Sequence, residues 1–172
     1  KSLDERLIPN GEYIDALNVR LGSTEESEIG AVENAKGNVQ VTTLQYIEGT
    51  PLSSSARCIG VFEDGAKETI YWFVHDPAFT VGATGKLDLI VSYNVITGSL
   101  IYHVVSINSG NNTNTTLNFD PNFLITSVNK IGNLIFFTDN LNPPRVVNID
   151  FNYSIPFNNV DQFSDGELLV IK

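Results

Sequence analysis

Two histidines, His75 and His103, and a single cysteine, Cys58, are the residues best suited to metal or nucleophilic chemistry in this 172-residue chain. A zinc site draws three or four protein ligands from His, Cys and carboxylates, and neither histidine has a second His or Cys at short spacing. Both lie at or inside apolar, strand-like runs, which assigns them a structural or surface role. Cys58 stands beside Ile59 in such a run, where a thiol acts as a small buried hydrophobe. Serine is plentiful, but no Gly-x-Ser-x-Gly elbow presents one as a nucleophile. Glu25, Glu26 and Glu28 would serve glycoside cleavage only if two carboxylates were held roughly 5–10 Å apart across a substrate; they read as a flexible acidic loop. Asp139-Asn140-Leu141-Asn142 offers oxygen ligands to calcium but lacks the spaced acids and closing Glu of a calcium loop. No catalytic residue, cofactor-binding residue or metal ligand is expected.

Trp72, with Tyr71 and Phe73, is a candidate sugar-stacking platform, although a strand packed on both faces accounts for the same three aromatics. Asn111, Asn114 and Asn152 each begin an Asn-x-Ser/Thr triplet, which has meaning only in a secreted eukaryotic protein.

The elements that must position these side chains read as strands. From Ala56 onward, β-branched and aromatic residues cluster in short runs between turn residues, the pattern of an antiparallel all-β protein. Strands are expected over Arg57–Phe62, Thr69–Val74, Leu87–Ile96 and Leu100–Ile107, with Thr97-Gly98 as a tight hairpin turn. In the third, Leu87, Leu89, Val91, Tyr93 and Val95 share one face, and Asp88, Ser92 and Asn94 the other. After a polar surface loop over Asn108–Asn118, the order recurs: Leu124–Asn129, a turn at Ile131-Gly132-Asn133, Leu134–Thr138 and Arg145–Ile149. Cys58–Val61 aligns with Ile125–Val128, and Tyr71–Pro77 with Ile135–Asn140. The period of about 65 residues is longer than the ~40–50 of propeller blades, and a single β-sandwich is the competing architecture.

Upstream, Pro9-Asn10-Gly11 marks a turn before a strand in which Tyr13, Leu17, Val19 and Leu21 share a face, and the acidic stretch from Gly22 to Gly37 reads as loop in preference to a helix starting at Ser23 or Thr24. The division expected is an extended N-terminal arm and loop (1–50), a first blade-like antiparallel unit (51–111), a second unit (112–160), and the start of a further strand (161–172) at Glu167–Lys172. With no Met and an apolar strand at its end, the chain reads as a piece of a longer protein; a processed or tagged small protein is the alternative.

Composition narrows the partners. With 42 % hydrophobic and 17 % charged residues, the chain can build a core and is expected to fold. Ten basic against twenty acidic residues give a net charge of −10, which repels nucleic-acid backbones and anionic membranes. A lone cysteine allows no internal disulfide. No apolar run approaches the ~20 residues that span a bilayer, so a soluble chain with no membrane partner is expected.

The opening Leu3-Asp4-Glu5-Arg6-Leu7-Ile8-Pro9-Asn10-Gly11-Glu12-Tyr13-Ile14-Asp15-Ala16-Leu17-Asn18-Val19-Arg20, continuing to Glu33-Asn34-Ala35-Lys36-Gly37-Asn38, resembles the start of the tail muzzle, or stabilisation, proteins of crAss-like phages, themselves similar to tail-nozzle proteins of short-tailed phages. Phe136-Phe137-Thr138-Asp139-Asn140 leading to Asn142-Pro143-Pro144-Arg145 is similar to a turn recurring in the propeller-like portions of those proteins. The resemblance implies a virion structural protein: a β-rich subunit, with a β-propeller-like nozzle domain, of a homo-oligomeric ring at the tail tip through which the genome leaves. Partners would be copies of itself and other tail or portal-proximal virion proteins, with DNA passing but not bound specifically. No enzymatic activity is implied. The extended arm, Lys1 to Asn38, would pair with a neighbouring subunit or ring, and Leu7, Ile8, Tyr13, Ile14, Leu17 and Val19 would be its assembly face. The rival function is a carbohydrate-binding propeller or sandwich of a bacterial surface protein, using Trp72 or the Asn-rich loop; a hydrolase ranks behind both.

Overall fold

Short runs of β-branched and aromatic residues become strands because their side chains pack well on a pleated, half-buried surface. The computed structural model describes residues 19–21, 32–34, 38–46, 49–153, 156 and 158–170. Backbone contacts divide the chain into residues 1–40 and 41–172. In the first unit, β1 (Val19–Leu21) pairs antiparallel with β2 (Val32–Asn34), Val19 lying opposite Asn34. Leu7, Ile8, Tyr13, Ile14 and Leu17 fall outside the described residues, as does most of the loop expected over Gly22 to Gly37, whose described part, Val32–Asn34, is strand instead because it pairs with β1.

The second unit begins with a two-stranded ribbon, β3 (Gln45–Tyr46) and β4 (Thr50–Pro51). A four-stranded antiparallel sheet follows in chain order: β5 (Arg57–Asp64), β6 (Thr69–Asp76), β7 (Leu87–Asn94) and β8 (Leu100–Ser106). Its β7–β8 hairpin turns through Gly98 at φ 69°, with the Asn94 carboxamide accepting from the Ile96 and Thr97 amides. A three-stranded sheet, ordered β11-β10-β9, comprises β9 (Ser127–Ile131), β10 (Leu134–Thr138) and β11 (Arg145–Asn148). Described residues are thus mainly strands in small, open antiparallel sheets, an all-β fold. No described helix is long and apolar enough to cross a membrane.

Two cores lie on opposite faces of the four-stranded sheet. Ile59, Tyr71, Phe73, Ile90 and Val104 on one face meet Ile135, Phe137 and Val147 of the three-stranded sheet, with Leu117, Phe119 and Ile125 among them. Phe73 packs on Phe137 at 5.0 Å between ring centroids. On the opposite face Val74, Leu87, Leu89, Val91 and Val105 pack under Phe79, Ile107 and the ribbon's Tyr46. Burying each such side chain stabilises the fold by roughly 1.5–3 kcal/mol.

Several expectations change in three dimensions. The Asp88 and Ser92 side of β7, grouped in the sequence as one face, is buried, because the second sheet covers it. The loop after β8 is not merely a surface loop, since Thr115, Thr116 and Leu117 turn inward and are buried. Cys58 is exposed instead of buried, because Ile59 takes the core side of the strand and turns Cys58 to the other; a bulge follows between Cys58 and Gly60. The strand expected at Leu124 starts at Ser127; Ile125 instead donates its N–H to Ile59 O at 2.9 Å and bridges Gly60 in parallel, joining the two sheets. The end expected as strand holds one helical turn, α1 (Asp165–Leu168), where Glu167 accepts from the Ser164 N–H at 2.7 Å in a capping-box arrangement; Leu169 then bridges Arg145.

Candidate functional site

Ionisable groups in the second unit are drawn inside by loops that need anchoring. A buried N–H or hydroxyl must find a partner, and a carboxylate can serve several donors at once. Asp76, at the end of β6, accepts from the Ser53 N–H at 2.6 Å, the Ser53 hydroxyl at 2.5 Å and the Ala78 N–H at 3.0 Å, tying the segments on either side of it. Asp88 in β7 accepts from His75 Nδ1 at 2.6 Å, from the Thr115 hydroxyl and from the Phe119 N–H at 3.0 Å. Burial pushes the Asp88 carboxyl above the usual carboxylate range, against the pull of the His75 ring, the Thr115 hydroxyl and the Phe119 N–H. Asp161 accepts from the Ile107 and Asn108 N–H groups at 2.7 and 3.2 Å, from the Ser106 hydroxyl at 2.6 Å and from the Thr116 N–H at 3.1 Å. Together, Asp88 and Asp161 pin both ends of the polar loop to the end of the sheet.

Ser92 and His103 form the arrangement nearest to a nucleophile and base. His103 Nδ1 donates to Ile149 O at 3.3 Å, which leaves Nε2 to accept from the Ser92 hydroxyl at 2.8 Å. Burial holds the His103 ring below the usual histidine range, opposed by Ile149 O and Asp150. A nucleophile–base pair is ordinarily completed by a third group that orients the base; here a backbone carbonyl occupies that position, and Asp150 accepts instead from the Asn133 side chain. The pair works as a polar rung between β7 and β8. A cleft of ≈ 480 Å³ runs from it to Lys67 and Lys130. Lys130 is engaged by Asp64 at 2.7 Å, whose carboxyl that hydrogen bond holds below its usual range.

A second cleft, of ≈ 400 Å³, opens where the polar loop meets β11 and the turn before α1. Arg145 forms its floor, 2 % exposed, donating from Nη1 to Leu117 O, from Nη2 to Thr116 O at 3.3 Å and to Asp165 at 2.5 Å. Around it stand Asn111, Asn114, Asn118 and Asn142. Asn118 donates to Asn142 Oδ1 at 3.1 Å and holds a positive φ of 47°, a conformation asparagine tolerates better than most residues. Arg145 Nε and Thr116 Oγ1 are buried and make no hydrogen bond with a described residue.

Of the residues singled out in the sequence, Asn111 and Asn114 of the Asn-rich loop, Asn142 and Arg145 line this cleft, whereas the histidines, Cys58 and Trp72 lie apart from it. His75 and His103 serve separate contacts, and among the described residues no three His, Cys, Asp or Glu converge as a metal site. The Asp139 carboxylate accepts from the Leu141 and Asn142 N–H groups and the Asn142 side chain, closing the turn on itself. Trp72 lies over Tyr93 at 6.1 Å and 20° between planes, so one indole face is spent within the sheet; strand β6 is packed on both sides, as expected. Asp161 carried no local motif, and the motifs that contain Arg145 and Thr116 did not show their roles, since these arise between segments far apart in sequence. Ser164-x-x-Glu167 was the one readable signal, a capping box, hidden by the apolar residues after it.

A family model described as Crassvirus muzzle protein matches residues 1–165. No curated protein and no solved structure matches the chain.

Proposed function

The chain belongs to the crassvirus muzzle protein family, a family of phage virion structural proteins, and from that membership we propose that it acts as a subunit of a multimeric ring at the phage tail, lining the route by which the genome leaves. The match over residues 1–165 carries this reading, because it takes in both the N-terminal segment and the sheets. In this reading the small sheets belong to a β-propeller-like nozzle domain, and the protein works through interfaces and performs no reaction. Residues 1–38 form an arm that pairs with a neighbouring subunit or with another tail or portal-proximal protein. Two observations support it: the ionisable groups of the core are spent on holding loops, and a net charge of −10 suits a wall that lets DNA phosphates slide past without binding.

Native mass spectrometry and negative-stain imaging of the chain with and without residues 1–38 test the proposal. Rings are expected from the full chain, with loss of assembly and retention of the strand signal in circular dichroism on truncation. A full chain that stays monomeric at high concentration overturns the ring; intact rings from the truncated chain overturn the arm's role.

A further inference from the structure

We propose that copies of this chain meet head to tail, the outer side of the three-stranded sheet of one copy resting on the open end of the four-stranded sheet of the next. This contact presupposes the proposed ring and supplies the two surfaces that meet in it.

In the three-stranded sheet, the side turned away from the core pairs Ile131 with Leu134 and Phe136 with Val146. Ile131 is 64 % exposed, and Phe136 and Val146 are half-buried. The other positions on that side are Ser127, Asn129, Thr138 and Asn148, so it carries no ionisable group. The second surface lies on the far face of the four-stranded sheet, past the end that the ribbon covers. There Val61 pairs with Trp72, and Ile70 with Tyr93, which pairs in turn with Leu100. Val61 is 60 % exposed and the other four are half-buried; Glu63, opposite Ile70, is the one charged side chain beside them.

The charge pattern selects the occupant. A chain with ten basic and twenty acidic residues repels its own copies, and like charges set against each other across a contact are costly, so copies come together where charge is absent. A nucleic acid would need cations, of which neither surface has any, and a basic protein would need a cluster of acids, where Glu63 stands alone. Both surfaces instead have the make-up of an interface core, aromatic and aliphatic side chains with charged ones left out. They lie on opposite sides of the packed sheets, because the three-stranded sheet turns its inner side to one face of the four-stranded sheet and the second surface belongs to the other. A contact between two different surfaces leaves each copy a free surface for the next, so it repeats and can close into a ring; a surface that meets itself stops at a pair.

Ile131→Lys and Val61→Lys, each in the full chain, test this by native mass spectrometry and sedimentation velocity. Both positions are exposed, so the thermal midpoint is expected to stay, and each change makes the chain less acidic, so lost assembly does not come from added repulsion. Each variant alone is expected to lose the rings that the unchanged chain forms. Mixed, the two are expected to form one-to-one pairs and nothing larger, because each supplies the surface that the other has lost. Rings that survive either variant overturn this contact and leave the ring itself standing. Homodimers of Val61→Lys that are absent from Ile131→Lys show a surface meeting its own copy and overturn it as well. An unchanged chain that stays monomeric overturns the contact and the ring together.

Discussion

The four-stranded sheet is buried on both faces, whereas the three-stranded sheet is covered on one and leaves Ile131 and Leu134 partly in solvent. In β9 and β10 inward and outward positions alternate as a half-buried strand requires. In β7 six consecutive residues, Leu87 to Ser92, are buried, and two of them are polar. A sheet enclosed on both sides has no water to satisfy its polar groups, so Asp88, Ser92, His75 and His103 must pair with one another or with a loop. A one-sided sheet sends polar residues outward: Asn129 lies exposed, while Lys130, on the covered side, is paired with Asp64. Burial on the second face thus converts polar residues from surface into struts.

The comparison breaks most readily at Asp88. Asp88→Ala strands the His75 ring nitrogen, the Thr115 hydroxyl and the Phe119 N–H in the interior, and is expected to cost about 3–5 kcal/mol, read as a lower urea midpoint at unchanged slope. A loss under about 1 kcal/mol, the range of an exposed pair, would show that the two sheets are stabilised alike.

Gly60 tests the seam between them. A Cβ there would lie 2.7 Å from Ile125 Cβ and 3.0 Å from Ile125 O, so Gly60→Ala must push the sheets apart, at a cost of about 1–3 kcal/mol. Thermal unfolding that splits into two transitions would sharpen the distinction between the sheets.

His103 makes the difference visible in pH. Its folded pKa is lowered by burial, so the stability of holding it neutral is fully present above the ordinary value of about 6.5 and is lost as pH falls from there through the lowered folded value. Asp88 has the opposite sign: its folded pKa is raised, and its contribution, present below the ordinary carboxylate value of about 3.9, fades as pH rises through the raised one. Urea midpoints are expected to drop as pH falls below about 6.5, and His103→Gln to flatten that drop. A slope unchanged in the variant assigns the pH dependence elsewhere.

The smallest effect belongs to the one-sided sheet. Ile131→Ser, at a position 64 % exposed, stays within about 0.5 kcal/mol. A larger loss in a monomeric sample would mean that Ile131 has an unrecognised partner within the chain; a loss confined to assembled samples would place it at a subunit contact.

Strand positions were legible because period-two alternation and turn residues are local properties. The hairpin at Thr97-Gly98 and the strand Leu134–Thr138 stand where the sequence put them. The burial of the Asp88 face was not legible for a physical reason: alternation tells which residues share a side of a strand, and says nothing of whether another sheet covers that side. Cys58 was misplaced because its neighbour Ile59 takes the core side of β5, which turns Cys58 to the opposite side, where it is exposed. The cleft at Arg145 was legible only in parts, the Asn-rich loop and the turn leading to Arg145; that these join residues 163–165 was not, because the segments meet only once the sheets have packed.

By itself the sequence determined the all-β character, the succession of strands along the chain and the acidic charge, since each rests on residue type and short-range spacing. Only the tertiary structure decided which polar residues became interior anchors and where a polar cleft opened, because burial and hydrogen-bond satisfaction depend on which distant segments come to lie against one another.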